Sequence, residues 1–303
     1  MSRLPSSFLV RLVACLAILV ESFGCASPPS RAQSLSYDSD SFRAELRERV
    51  PELSDRMVEA PFEMSSETLA VARKRVMAAP RGPERVRALV DFLSNPKPQG
   101  LGLEYDWATS STAERTLELG RGDCVALATV MVGLGRSLDW PIYFAEARTR
   151  RPETHEFSEI TVLSDHMVVI VVAKTVQMVI DFLGLVEAGY EIRPIDDLTA
   201  YAHLINNVSG HRVISGKSES REESWTAALN GFLLATRIQP DLGRAWNNLG
   251  IAYTRLGRFD EARAAYHRAF ELDTAFGSPL RNLTIMETRA AGAPTLTESK
   301  LPK

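Results

Sequence analysis

The segment VALATVMVGLGRSL, residues 125 to 138, does most to limit what this chain can fold into. At helical pitch its apolar residues fall on every side rather than along one stripe. The helix it predicts has no face for water and must lie inside a domain. Such a helix needs other elements around it, and two runs downstream have the right character. HMVVIVV (166–172) and QMVIDF (177–182) read as strands that are apolar on both faces, as central strands are. The linker AKTV allows them to form a hairpin, and PIYFAEA (141–147) reads as a third strand, followed by RTRRPETHEFSEI as an exposed loop. The expected fold class is therefore α+β, with a buried helix packed on an antiparallel sheet.

Helices are also expected on the N-terminal side. Ser65 or Ser66 caps ETLAVARKRVMAA, and Pro83 opens PERVRALVDFL, which stops before Asn95-Pro96. TAERTLEL follows, with Thr112 as its cap and Gly120 beyond its end. From Asp196 to about Arg289 the pattern is helical throughout.

The first residues read as a processing segment. Arg3 and Arg11 precede the short apolar run LVACLAILV, and small residues follow in GCASPPS. That is an export leader, since a membrane span needs about 20 apolar residues. Gly24-Cys25 resembles the lipobox of bacterial lipoproteins, which implies that Cys25 is lipidated and anchors the chain to an envelope membrane. Cleavage near Ala26 or Ala32 is the competing reading. The expected organisation is a signal peptide (1–24), a Ser/Pro/Asp-rich flexible tether (25–42), an α+β domain (43–200) and a helical domain (201–303).

A net charge of −3 gives no footprint for nucleic acid. With five histidines and three cysteines, and neither CxxC nor HExxH, no metal site or cofactor is expected. Cys15 lies in the leader, and lipid on Cys25 would leave Cys124 as the free thiol of the mature chain.

Cys124 stands where its helix begins. Unpaired N–H groups and the positive end of the helix dipole favour a thiolate there and can also hold an oxyanion. A thiolate nucleophile needs a base and a group that orients the base. His166 begins one strand and Asp181 ends the next. A hairpin centred between Ala173 and Lys174 sets them directly opposite on one face, whereas an odd-length loop would send them to opposite faces. Asp181 within MVIDF also calls for a partner, because a buried carboxylate is costly alone. Asp123 reads as a helix cap, and Trp107 and Trp140 as core residues.

Gly-Asp-Cys opening a buried helix, followed by a strand-starting histidine and then an aspartate, resembles the transglutaminase-like cysteine superfamily over roughly residues 100 to 185. The resemblance implies a papain-like core. By position it makes Cys124 the nucleophile, His166 the general base and then acid, and Asp181 the orienting carboxylate. It also implies reaction at an acyl carbon of a peptide or protein substrate.

AWNNLGIAYTRLGRFDEARAAYHRAFELD (245–273) resembles a tetratricopeptide repeat, with Trp246, Leu249, Gly250, Tyr253, Ala262, Tyr266 and Ala269 at its large and small positions. One repeat length back, about 34 residues, stand Ala228, Phe232 and Ala235. PLRNLTIMETRA reads as an incomplete further repeat. Asn207, Asn248 and Asn282 recur at one repeat position and would line a concave face open to a protein partner. The expected function is thus an exported lipoprotein whose thiol site hydrolyses or transfers an acyl group, with repeats for a partner. The alternative is a non-catalytic envelope adaptor.

Overall fold

A computed structural model describes residues 13–14, 35–54, 58–149, 154–157, 160–163, 166–173, 176–186, 190–214, 220–274 and 277–290. The leader apart from Val13–Ala14, Cys25 and most of the expected tether lie outside the described residues. The chain divides into two compact units. The first holds residues up to 150 together with 165–204, and the second holds 151–164 and everything from 205 onward.

The first unit is mixed α and β. Helices α1 (Ser39–Arg49), α2 (Ser66–Met77) and α3 (Pro83–Ser94) precede α4 (Ala113–Leu119) and the buried α5 (Cys124–Ser137). Local chemistry sets their ends. The Ser65 side chain accepts the Thr68 amide ahead of α2, Pro83 occupies the first turn of α3, and Gly120 closes α4 in the left-handed region at φ 68°. Residues 36 to 42 are not a free tether. The Tyr37 amide donates to Asp197 at 2.9 Å and Phe42 is fully buried, because α1 turns its apolar face into the core.

The main sheet is antiparallel throughout. β4 (Ile142–Thr149) lies between β7 (His166–Ala173) and β9 (Tyr190–Pro194), and β7 continues to β8 (Val176–Ile180) and then to the two residues of β1 (Val13–Ala14). A short parallel bridge joins β2 (Glu104–Tyr105) to β3 (Arg121–Gly122). Both faces of the central strands are covered. Tyr143, Ala145, Ala147, Val168 and Ile170 form one buried cluster, and Ile142, Phe144, Val169 and Val171, which alternate with them along the strands, are buried as well. α5 packs on β4 and β7 so closely that a Cβ on Gly135 would stand 2.6 Å from Ile142 Cδ1.

The hairpin register differs from the expected one. Ala173 pairs with Val176 and Ile170 with Val179, so the strands join through residues 174–175, one residue later than the centre read from AKTV. Continuing that register sets Asp181 across from Val168, which makes His166 and Asp181 diagonal neighbours rather than opposed ones. The loop is still even in length, so both side chains remain on one face, and diagonal partners are within reach of long side chains. Two further strand features escaped the sequence reading. The segment read as an exposed loop carries β5 (Thr154–Phe157), which pairs with β6 (Ile160–Leu163) at and just beyond its end, and YEIRP forms β9. Charged residues surround β5 and interrupt β9, and β6 is only four residues long.

The second unit is helical apart from the β5–β6 pair. α6 begins in the first unit at Asp197 and runs to Ile214, followed by α7 (Arg221–Ile238), α8 (Gly243–Arg255), α9 (Phe259–Leu272) and α10 (Ser278–Ala290). Small residues allow close packing. A Cβ on Gly250 would meet the Tyr266 ring at 2.7 Å, and one on Gly231 would meet Ser209 Oγ at 1.9 Å. Ala228, Phe232, Leu249, Ala252 and Ala265 form one apolar cluster, while Ala262, Tyr266, Leu283 and Met286 belong to a second.

Candidate active site

The turn before α5 is built to present its first residue. Gly120 ends α4, and Tyr105 pairs with Gly122 across the parallel bridge, where the Asp106 amide donates to the Gly122 carbonyl at 2.9 Å. A Cβ on Gly122 would lie 2.7 Å from that of Ala126, so the close approach of turn and helix needs glycine. The Asp123 amide donates to Thr109 O at 2.7 Å, and the Asp123 side chain accepts the Ala126 amide at 2.8 Å. Its second carboxylate oxygen accepts the Ser110 hydroxyl. Asp123 is therefore a buried cap, as its place in the sequence implied.

Cys124 is the first residue of α5 and is half-buried, whereas Val125 to Gly135 behind it are all buried. The Cys124 and Val125 amides belong to the first turn, which has no acceptor within its own helix. They point where negative charge is best tolerated.

His166 opens β7 opposite Ala147 and is 6% exposed, and Asp181 follows directly on β8 at 3%. His166 Nε2 and Asp181 Oδ1 are 2.5 Å apart. The same Oδ1 accepts the Leu183 amide at 2.9 Å, and Oδ2 accepts the Val186 amide at 2.8 Å. Two backbone donors thus hold the carboxylate in the orientation that receives the ring. The Cys124 thiol is the other ionisable group that acts on this imidazole. With Nε2 engaged by the carboxylate, Nδ1 is the ring atom left to serve the sulfur.

Burial drives the His166 pKa down, but the hydrogen bond and charge of Asp181 and the thiol beside it outweigh that and raise it to about 9. Burial likewise pushes Asp181 up, and the His166 bond with the Val186 and Leu183 amides overrides it, taking the carboxyl to about 2. The arrangement keeps a protonated imidazole between a carboxylate and a sulfur at neutral pH. It can stabilise a thiolate, deliver a proton to a leaving group and recover one from water.

Other titratable residues are engaged elsewhere. His203 Nε2 meets Glu146 Oε1 at 2.8 Å inside the first unit, and Arg148 Nε donates to the other oxygen of that carboxylate at 3.1 Å. Among the described residues no group of three or more His, Cys, Asp or Glu side chains could hold a metal ion. Trp107 is not a core residue but half exposed, on the loop after β2, whereas Trp140 is partly buried near Gly135. Tyr105 went unnoticed in the sequence because only the β2–β3 bridge brings it beside the turn that precedes Cys124.

Two of the repeat-position asparagines, Asn248 and Asn282, bond to asparagines of another helix of the second unit. Asn248 Nδ2 donates to Asn206 Oδ1 and Asn282 Nδ2 to Asn247 Oδ1, each at 3.0 Å. Asn282 is buried, not displayed on an open face, while Asn207 and Asn248 are partly exposed. Buried amides satisfy one another here because unpaired ones would be costly.

A family model for the tetratricopeptide repeat matches residues 243–274, which covers α8 and α9. A single repeat is therefore shown, and it points to binding of a protein partner. Comparison with curated proteins finds no match.

Proposed function

We propose that the first unit is a thiol-dependent acyl-transfer site of transglutaminase-like type, acting on a peptide or amide bond. The observation that carries this reading is the Asp181–His166–Cys124 relay, in which a buried carboxylate orients a ring that in turn reaches a thiol on the first residue of a helix. The thiolate attacks the acyl carbon, forming a C–S bond as the carbonyl electron pair moves onto oxygen. When that pair returns, the C–N bond breaks and the amine leaves with the His166 proton. Water then adds to the thioester with His166 taking its proton, and collapse releases the acid and restores the thiol. Hydrolysis is the reaction proposed, because water is an acceptor that needs no dedicated binding feature. The tetratricopeptide repeat supplies binding to a protein, and neighbouring helices α6–α7 and α10 have the composition of a preceding repeat and a cap.

Alkylation tests the site without knowledge of the substrate. Iodoacetamide, read by mass spectrometry on the peptide that contains Cys124, should modify the native chain readily at pH 6. His166→Ala should slow it by about 10-fold or more. If modification rises only near pH 8.5, as for an ordinary thiol, and ignores the His166 substitution, the enzyme reading falls. An adaptor that works through the repeat would remain.

The leader and Gly24-Cys25 support an exported, lipid-anchored protein. Among the described residues no helix is long and apolar enough to cross a membrane. Metabolic labelling with a radioactive fatty acid should mark the wild-type chain in a bacterial host and not the Cys25→Ser variant. Equal labelling of both, or of neither, would overturn the anchor.

A further inference from the structure

A chain with a net charge of −3 nevertheless carries six cations and one carboxylate between residues 73 and 87, where Arg73, Lys74, Arg75, Arg81, Arg85 and Arg87 accompany Glu84. The run spans the end of α2, the turn at Arg81-Gly82 and the start of α3. Ala72 and Val76 are buried on α2, and Val86, Leu89 and Val90 on α3, so the apolar positions face the core and leave the charge outside. Arg85 is half-buried and the other five cations are exposed.

Elsewhere the chain neutralises its arginines. Arg43, Arg49, Arg121, Arg258, Arg263 and Arg268 each meet a carboxylate. Among the described residues none of the six cations of the α2–α3 run does so, although Glu84 and Asp91 flank Arg87 at helical spacing. Arg73 donates to the Ser137 carbonyl, Arg75 Nη2 to Pro98 O at 3.4 Å and Arg85 Nε to Ala79 O at 3.2 Å. Those acceptors are neutral, so the bonds steady three side chains and leave their charge uncancelled. Like charges held together repel, and a counter-charge from outside relieves that repulsion.

The surroundings point to one kind of counter-charge. Val71 is 49% exposed and Met77 46%, so two apolar side chains stand among the cations of α2. Basic side chains interleaved with exposed apolar ones suit the boundary between lipid headgroups and acyl chains. Nucleic acid would answer the charge but not the apolar pair. The proposed anchor at Cys25 would supply proximity, since the chain from there to the Asp38 cap of α1 spans at most about 45 Å. α1 is in turn fastened to the entry of α2, where Arg43 Nη2 donates to Glu63 Oε1 at 2.6 Å.

We infer that the α2–α3 surface around Lys74, Arg81 and Arg87 docks on the anionic headgroups of a lipid bilayer and seats the first unit there. Lipid phosphates accept from the guanidinium and ammonium groups, while Val71 and Met77 enter the boundary beneath them. The inference rests on the exported, anchored reading for its setting and is independent of the thiol site.

Cosedimentation with vesicles tests it on the full chain carrying Cys25→Ser, so that no lipid on the protein contributes. Equimolar phosphatidylglycerol and phosphatidylcholine should bind the chain more tightly than phosphatidylcholine alone, with the preference fading as salt rises. Each cation beside an anionic surface contributes about five-fold. Lys74→Gln, Arg81→Gln and Arg87→Gln together should therefore weaken binding to the anionic vesicles by about 10²-fold. These side chains hold no ion pair among the described residues, so the fold does not depend on them. Arg258→Gln with Arg263→Gln and Arg268→Gln removes the same charge from cations that already have carboxylate partners, and should bind as the parent chain does. No preference for phosphatidylglycerol overturns the inference. Equal losses in the two triple variants also overturn it, because net charge rather than this surface would then be responsible. Patch-dependent binding to duplex DNA that outlasts vesicle binding as salt rises would assign the surface to nucleic acid instead, and overturns it too. Fatty-acid labelling at Cys25 is read separately, so loss of the anchor reading and loss of the docking surface are told apart.

Discussion

Replacing Asp181 by asparagine should, on the proposed thiol reading, lower the rate of Cys124 acylation by the small ester p-nitrophenyl acetate by about 10²–10⁴-fold, in line with losses on neutralising the orienting acid of catalytic triads. The substitution keeps the shape and removes the charge. It also creates a conflict, because the present carboxylate accepts from His166 and from the Leu183 and Val186 amides, using both oxygens. One amide oxygen cannot replace them all, and the amide NH₂ would face at least one donor. His166 should then lose its proton at a lower pH, since burial still depresses it while the largest opposing influence is gone. Proton NMR of the imidazole across a pH titration reads this directly. A ring that titrates unchanged in Asp181→Asn would show that the carboxylate does not govern it.

The same pair predicts how stability varies with pH. His166 has a raised pKa in the folded chain, so its contribution is complete below the ordinary value of 6.5 and is lost as pH rises through about 9. Asp181 has a lowered one, so its contribution is complete above the ordinary 3.8 and is lost as pH falls through about 2. The two overlap fully between those ordinary values. In that window the wild type should exceed Asp181→Asn most in melting temperature, with the gap narrowing on either side.

A second large effect is expected far from the thiol. Arg136, in the last turn of α5, makes a two-pronged ion pair with Asp197 at the start of α6, with both N···O distances at 2.7 Å. Asp197 is fully buried, and its carboxylate also accepts the Tyr37 amide. The Arg136 guanidinium reaches the Ser36 hydroxyl at 3.0 Å and lies 4.8 Å from the centre of the Phe62 ring. Asp197→Ala would leave a largely buried cation with no counter-charge, at a cost of about 3–5 kcal/mol. For a unit of this size that lowers the melting temperature by roughly 10 °C. Replacing both members with apolar residues, as in Arg136→Met with Asp197→Leu, should cost clearly less than the single change, because no buried charge then remains. Differential scanning calorimetry of the three variants decides the matter. Equal losses for the single and double variants would mean that the residues matter for packing alone.

This ion pair also shows where sequence reading stops. Sixty-one positions separate its members, and no local pattern in GRSLDW or PIDDL announces that they meet. The buried helix was legible because apolarity on all sides admits one solution. Its starting point was legible because Gly-Asp before an apolar run is a capping signal, and the Asp123 side chain does cap it. The central strands were legible from their doubly apolar character, whereas β5 and β9 were not, because charged residues surround or interrupt them, and β6 was not, because it is only four residues long. In the second unit Trp246 is fastened to the Pro240 carbonyl at 2.8 Å, and Gly250 gives way to the Tyr266 ring, as the repeat spacing implies. Of the asparagines at the same spacing, Asn282 is buried against Asn247 rather than displayed, since spacing reveals recurrence and not whether water or another amide will meet the side chain.

Sequence alone determined which residues are the candidates for a thiol site, since Cys124, His166 and Asp181 stand out by residue type and by their places at element ends. It also determined that an even loop would keep histidine and aspartate on one face, because side chains alternate strictly along a strand. Only the tertiary structure decided that the pair meets diagonally, that two backbone amides steady the carboxylate, and that Tyr105 comes to lie beside the turn. Those outcomes depend on where separate elements stop and pack, and packing is settled by shape and burial across the whole domain rather than by any neighbour in the chain.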